Sequence, residues 1–152
     1  MQNPMKARAL RHPMLGCCVL GAILSAVSLQ SHYSSSATDY CDLNATFNCD
    51  LVNRSTFSEL HGIPVALVGL LGYILLFALS LTPRNWATIF RFAAALVGVG
   101  FALYLAYIEA YVLAVWCLLC IGSLAMISTI TMLAGIALWR LRKREPQTNA
   151  GR

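Results

Sequence analysis

The sequence predicts an all-α integral membrane protein: a bundle of four membrane-spanning helices with one long extracytoplasmic loop carrying a cysteine pair. Three observations predict it. The first is composition: of 152 residues 59% are hydrophobic and 11% are charged, with a mean hydropathy of +0.68, where soluble domains carry about 25% charged residues. The second is distribution, because the apolar residues fall into runs at 14–30, 63–82, 92–111 and 117–139. A helix needs about 20 such residues, at 1.5 Å each, to cross a hydrocarbon layer of roughly 30 Å. The third is that the few charges gather at the ends of these runs. A disordered chain and an ordinary cytosolic enzyme are excluded, and a membrane barrel is disfavoured because the runs do not alternate.

Residues 1–13 form a basic tail with Lys6, Arg8 and Arg11 ahead of the first run. A signal peptide is the rival reading of that run. No Ala-x-Ala cleavage pattern follows it, and its apolar core at 14–30 is longer than the usual 7–15 residues. Cys17 and Cys18 open the run and read as packing residues. The loop 31–62 holds Asp39, Asp42, Asp50 and Glu59 against one basic residue, Arg54. Arg84 and Arg91 separate the second run from the third, which holds small residues from Ala93 to Ala102 suited to close helix packing. It ends with Tyr104, Tyr107, Glu109 and Tyr111, and a short apolar loop, 112–116, precedes the fourth run. Arg140, Arg142, Lys143 and Arg144 open the polar tail 140–152. The net charge of +5 thus sits at helix ends, which argues against nucleic acid as a partner. By the positive-inside rule both termini are cytoplasmic and the loop 31–62 is extracytoplasmic. The domain 14–139 is then flanked by two cytoplasmic tails.

This topology puts Cys41 and Cys49, in the outer loop, on the same side as Cys117-Leu118-Leu119-Cys120 at the start of the fourth run. That side is the oxidising one, where disulfides persist. Cys41 and Cys49 alone would suit a static loop staple. Two cysteines separated by two residues at a helix start suit redox chemistry, because free N–H groups and the helix dipole favour a thiolate. A zinc site is the competing use of four cysteines. The Cys41 to Cys49 spacing is long for a ligand hairpin, and no metal is expected. Two disulfides within reach of each other exchange through mixed disulfides and make an electron relay.

In order along the chain, the cysteine pair, Ser55 six residues after Cys49, Gly69-x-x-x-Tyr73, Tyr104-Leu-Ala-Tyr-Ile-Glu109 and the C-x-x-C at Cys117 resemble the vitamin K epoxide reductase family, particularly its bacterial members. The resemblance covers nearly the whole chain. It implies that Cys41 and Cys49 are the shuttle pair, Cys41 meeting a partner protein's thiols and Cys49 exchanging with Cys117. It also implies that Cys120 lies against a quinone held among the helices, with Ser55 on the segment that covers it. Leu124 stands where the animal enzyme has a Tyr, and Val65 near where it has an Asn. A respiratory quinone, ubiquinone or menaquinone, is therefore the expected acceptor in preference to vitamin K epoxide. Many bacterial relatives continue into a fused thioredoxin-like domain. Here the sequence reaches Arg152 through a polar tail, so a separate DsbA-like thioredoxin-fold protein is the expected thiol partner and a bacterial inner membrane the expected location.

The energetics agree with a quinone. A DsbA-type partner has a potential near about −120 mV, and reoxidising it with a thiol couple near −180 mV would be uphill by roughly 2.8 kcal/mol. A quinone is a stronger acceptor and dissolves in the bilayer. Phe57, Tyr104, Tyr107 and Trp116 are the aromatic candidates for its pocket, although aromatics also form interfacial belts. Glu109 is the candidate proton relay, since quinone reduction takes two protons with two electrons. His61 reads as a cap of the second run, and the Asn44 and Asn53 glycosylation-like triplets carry no weight in a bacterial protein. The DsbB family also has four helices and two cysteine pairs, but in the reverse order. A membrane scaffold with two structural disulfides is the non-enzymatic alternative.

Overall fold

The computed structural model describes residues 4–33, 46–60 and 62–143. In order these form α1 (Pro4–Tyr33), α2 (Cys49–Asn53), a 3-10 turn (Thr56–Ser58), a two-residue antiparallel ribbon of β1 (Glu59–Leu60) and β2 (Ile63–Pro64), α3 (Val65–Leu81), α4 (Asn85–Ile108) and α5 (Leu118–Arg142). Three helical stretches are long and apolar enough to cross a membrane: Leu10–Tyr33, Asn85–Leu113 and Leu118–Arg142. The fourth apolar helix, α3, has 17 residues and is about 25 Å long at 1.5 Å per residue. The protein is thus a membrane-helical chain with three long apolar helices and one shorter one.

The helices outrun the apolar runs that announced them. α1 starts before residue 14 and ends after residue 30, and α4 begins at Asn85 rather than near 92. Polar residues extend a helix wherever its backbone bonds are made, so hydropathy marks only the part in lipid. One assignment is corrected by this. Arg91 is not in a connection but inside α4, 8% exposed, with its guanidinium near the Leu79 carbonyl and the Thr88 hydroxyl.

Packing is close because small residues line the contacts. α1 buries Met14, Cys18, Ser25, Ser28 and Ser31, a stripe at spacings of three, four and seven that faces its neighbours. At Gly21 a Cβ would overlap the Tyr73 ring, and Gly69 of α3 sits against Ser25. The Tyr73 hydroxyl donates to the Ser123 carbonyl at 2.8 Å, which ties α3 to α5. Within the small-residue stretch of α4, Ala95 is fully buried and Gly98 packs on Ile127, while Ala93 and Gly100 lie on the exposed face. Leu71, Val97, Leu103 and Met132 are more than half exposed, as side chains facing lipid would be.

Contacts at the helix ends fix the polarity of the bundle. Arg11 of α1 reaches the Leu81 carbonyl at the end of α3, and Gly135 near the end of α5 packs on Phe92 near the start of α4. Arg11, Arg84, Arg91, Arg140 and Arg142 therefore share one end. Cys49, Glu109, Cys117 and Cys120 share the other, where Cys49, Val52, Val115 and Cys117 form a separate buried cluster.

Candidate functional site: a thiol contact beside an apolar cavity

Three local devices bring the cysteines together. The segment before α2 pairs with the segment before α5: the Trp116 N–H donates to Thr46 O at 2.8 Å and the Asn48 N–H to Trp116 O at 3.2 Å. Asn48 then caps α2, its Oδ1 accepting the Leu51 N–H at 2.7 Å, so Cys49 opens that helix. On the other side α4 widens into a π-helical turn at Glu109–Leu113, and Ala114 adopts left-handed backbone with φ 53°. The chain reverses there, and Cys117 becomes the residue before the first turn of α5.

The result is a direct sulfur contact. Cys117 Sγ lies 3.4 Å from Cys49 Sγ, and both residues are fully buried. Cys49 is disulfide-bonded, whereas Cys117 and Cys120 are free thiols. A thiol thus stands at near-attack distance, about 3–3.5 Å, from one sulfur of a disulfide. The Cys117 thiol is held below its ordinary pKa, first by the Cys120 thiol beside it. The free N–H groups of Cys120 and Leu119 add to this, and burial and the Glu109 charge oppose it. A helix start supplies such N–H groups because its first turn has no intrahelical acceptor for them.

Glu109 closes the cluster. It is 2% exposed, its Oε2 accepts the Cys117 N–H at 3.0 Å, and its Oε1 has no hydrogen-bond partner among the described residues. One donor atom from each of Glu109, Cys117 and Cys120 lies within 4.8 Å of the others. Distance alone would let these three hold a metal ion. The outward contact with a disulfide-bonded sulfur is what a thiol relay requires and a metal site does not.

A cavity of about 440 Å³ opens on the inner side of this cluster. Its walls come from α1, α2, α3, α4 and α5 and are mostly aliphatic, with Cys120 and Glu109 at the relay end. Cys120 is the cavity-side sulfur and Cys117 the disulfide-side sulfur. Sites for small organic ligands have this character: apolar, concave, and with few polar groups.

Among the residues expected at the site, Cys49, Cys117, Cys120 and Glu109 come together as described, and Ser55 and Phe57 line the cavity. The Ser55 hydroxyl is bound to the Val52 carbonyl at 2.8 Å, and Phe57 is 42% exposed. Three aromatics are placed elsewhere. Tyr104 borders a smaller outer recess. Tyr107 is 58% exposed with its ring 4.9 Å from that of Tyr111, because the stripe 104, 107, 111 runs down the outer face of α4. Trp116 serves through its backbone pairing with Thr46 and Asn48. Cys41 and His61 lie outside the described residues.

Sequence reasoning passed over a second polar set on the same cavity. Ser28 and His32 of α1, one turn apart, meet Asn53 of α2. Ser28 Oγ donates to Asn53 Oδ1 at 2.8 Å, and His32 Nδ1 lies 2.6 Å from Asn53 O. His32 Nε2 is 3.2 Å from Glu59. The available signal was the i, i+4 spacing of Ser28 and His32 at the outer end of an apolar run, matched by Asn53 four residues after Cys49.

Membrane helices, a cavity within them and a thiol pair poised on a disulfide define a membrane protein of the thiol redox class. Residues 12–135 match the model of the Vitamin K epoxide reductase family, so the chain belongs to that family. Membership brings with it a membrane redox reductase, and a family that in general uses a quinone as redox partner.

Proposed function

We propose that the protein is a four-span thiol–disulfide oxidoreductase that oxidises the dithiol of a separate, DsbA-like thioredoxin-fold protein and reduces a membrane quinone. The observation that carries this reading is the 3.4 Å contact between the Cys117 thiol and the disulfide-bonded Cys49, with Cys120 on an apolar cavity. Partner thiols reduce a Cys41–Cys49 disulfide, and the partner leaves oxidised. The Cys49 thiolate attacks Cys117 of a Cys117–Cys120 disulfide, and Cys41 resolves the mixed disulfide by attacking Cys49. The outer pair is then oxidised and the inner pair reduced, matching the bonded Cys49 and free Cys117 and Cys120. A quinone, when bound, would supply a two-electron acceptor. Cys117 and Cys120 would give it two electrons and two protons and close to a disulfide again.

Glu109, with an unpartnered oxygen beside Cys120, serves as proton carrier between thiol and acceptor. Which residues face the cell exterior follows from charge: the basic end of the bundle is cytoplasmic, so the cysteines lie on the oxidising side and both termini lie inside. A bacterial inner membrane is the setting that joins such a partner to respiratory quinones, with ubiquinone or menaquinone as the acceptor. Leu124 and Val65, departures from the animal pattern, favour these over vitamin K epoxide.

The test is reconstitution. Protein in lipid nanodiscs, given a reduced thioredoxin-fold oxidant and a short-tail ubiquinone or menaquinone, should oxidise the thiols and form quinol one for one. Cys117→Ser and Cys120→Ser should abolish turnover, and Cys49→Ala should accumulate a mixed disulfide between Cys41 and the partner. Retained turnover in the Cys117 or Cys120 variant would refute the relay.

A further inference from the structure

We infer that Asn53 is the hydrogen-bond donor to one carbonyl oxygen of the quinone headgroup, its amide set in that orientation by Ser28; this rests on the quinone reading above. The position is built for one job. Asn53 ends α2, is 6% exposed and lines the 440 Å³ cavity. Ser28 Oγ occupies its Oδ1 at 2.8 Å, so the remaining polar atom of the amide is Nδ2. That atom is buried with no hydrogen-bond partner among the described residues.

A buried N–H left without a partner is costly, and native proteins seldom tolerate one unless a ligand or water completes it. The chemistry of the missing partner follows from what is free. Nδ2 can only donate, so the partner is an acceptor, and the cavity around it is aliphatic, so the partner is carried on an apolar molecule. A quinone carbonyl meets both conditions. The Asn53 backbone is pinned as well, because His32 Nδ1 sits 2.6 Å from its carbonyl oxygen and His32 Nε2 lies 3.2 Å from Glu59. The donor is therefore preorganised, and it strengthens as electron density grows on the oxygen that accepts it.

The placement also links the two halves of the reaction. Cys49 opens α2 and Asn53 closes it, so one short helix carries both the sulfur that meets Cys117 and the amide that meets the acceptor. Glu109 borders the same cavity, and its unpartnered Oε1, an acceptor, can take a hydrogen bond from a quinol hydroxyl rather than from a quinone carbonyl.

The test uses the full-length protein in nanodiscs, with decylubiquinone and menadione as probes. Binding is read by tryptophan quenching, and the carbonyl stretch of carbonyl-labelled quinone by isotope-edited infrared spectroscopy. The wild type should shift one carbonyl band to lower frequency. Asn53→Leu should return that band to its free position and weaken quinone binding by about five- to tenfold, the loss of one net hydrogen bond. The KM for quinone should rise with it while the KM for the dithiol partner holds. Ser28→Ala, which frees the amide to rotate, should broaden the same band and weaken binding by roughly two- to threefold; it decides the matter if Asn53→Leu does not fold. Wild-type binding with an unshifted band, or affinity unchanged in both variants, overturns the role of Asn53 and leaves the relay standing. A wild type that neither binds nor reduces either quinone overturns the functional reading, and Asn53's role with it.

Discussion

Cys117 sits where three influences on one sulfur can be separated by substitution. The Cys120 thiol beside it favours the Cys117 thiolate, and the Glu109 carboxylate disfavours it. Cys120→Ala removes a group that stabilises the thiolate, so the pH at which Cys117 is alkylated should rise. Glu109→Gln removes a negative charge while keeping an oxygen for the Cys117 N–H, so that pH should fall. Rates of alkylation by iodoacetamide across pH, read by mass spectrometry at Cys117, check both signs. Shifts in the same direction would mean that Glu109 does not act on this sulfur through its charge. On the proposal that Glu109 carries the proton, quinol formation in Glu109→Gln should drop even as the thiolate becomes more available. The C-x-x-C and Glu109 were legible from spacing and charge. Asn53 was not, since a single Asn between Val52 and Arg54 carries no periodic signal and its partners, Ser28 and His32, lie over twenty positions away in sequence.

At the scale of the element, the connection from α4 to α5 decides whether Cys117 meets Cys49. It turns on Ala114, a left-handed residue without the freedom of glycine, a conformation that costs an L-residue roughly 1–2 kcal/mol. Replacing Ala114 with Val should cost at least a comparable further amount and slow Cys49–Cys117 exchange, as a β-branched residue is poorly tolerated there. Stopped-flow measurement of thiol transfer, with thermal unfolding in the same detergent, tests this. A second element-scale case is Gly21. An added methyl would overlap the Tyr73 ring, and that ring cannot swing away without losing its bond to Ser123. Gly21→Ala should therefore destabilise by about 1–3 kcal/mol, the usual penalty for overpacking; an unchanged thermal midpoint would show that α1 and α3 separate freely. Hydropathy located the helices and misjudged their ends, because helix ends are set by local backbone bonds such as that from the Ala87 N–H to Arg84 O at the start of α4. The π-helical turn at Glu109 gave no warning either, since it depends on bonds back to Glu109 from Ala114 and Val115 and on no residue pattern. The aromatic stripe of Tyr104 and Tyr107 had the right spacing for one face, but spacing cannot say which face meets lipid.

Across the whole molecule, most of the basic residues described and the redox cysteines lie at opposite ends, Arg54 beside α2 being the exception. Arg11, Arg84, Arg140 and Arg142 collect at one end, and Cys49, Glu109, Cys117 and Cys120 at the other. This separation predicts the orientation in the membrane. A green fluorescent protein fused after Arg152 should fluoresce in the cytoplasm, and alkaline phosphatase fused after Glu59 should be active outside; the reverse pattern would invert the topology and remove the cysteines from the oxidising side. Composition alone placed the chain in lipid. The positions of its few charges and cysteines, joined through the fold, set an apolar cavity beside a thiol–disulfide contact.

The central claim is that electrons cross between the outer and inner cysteine pairs through Cys49 and Cys117. The most direct measurement is peptide mapping of the Cys41→Ser, Cys120→Ser double variant after mild oxidation in nanodiscs. With the resolving cysteine of each pair removed, the account predicts a Cys49–Cys117 disulfide as the dominant crosslinked peptide. Cys49 and Cys117 both recovered as free thiols, or bonded instead to Cys17 or Cys18, would contradict it.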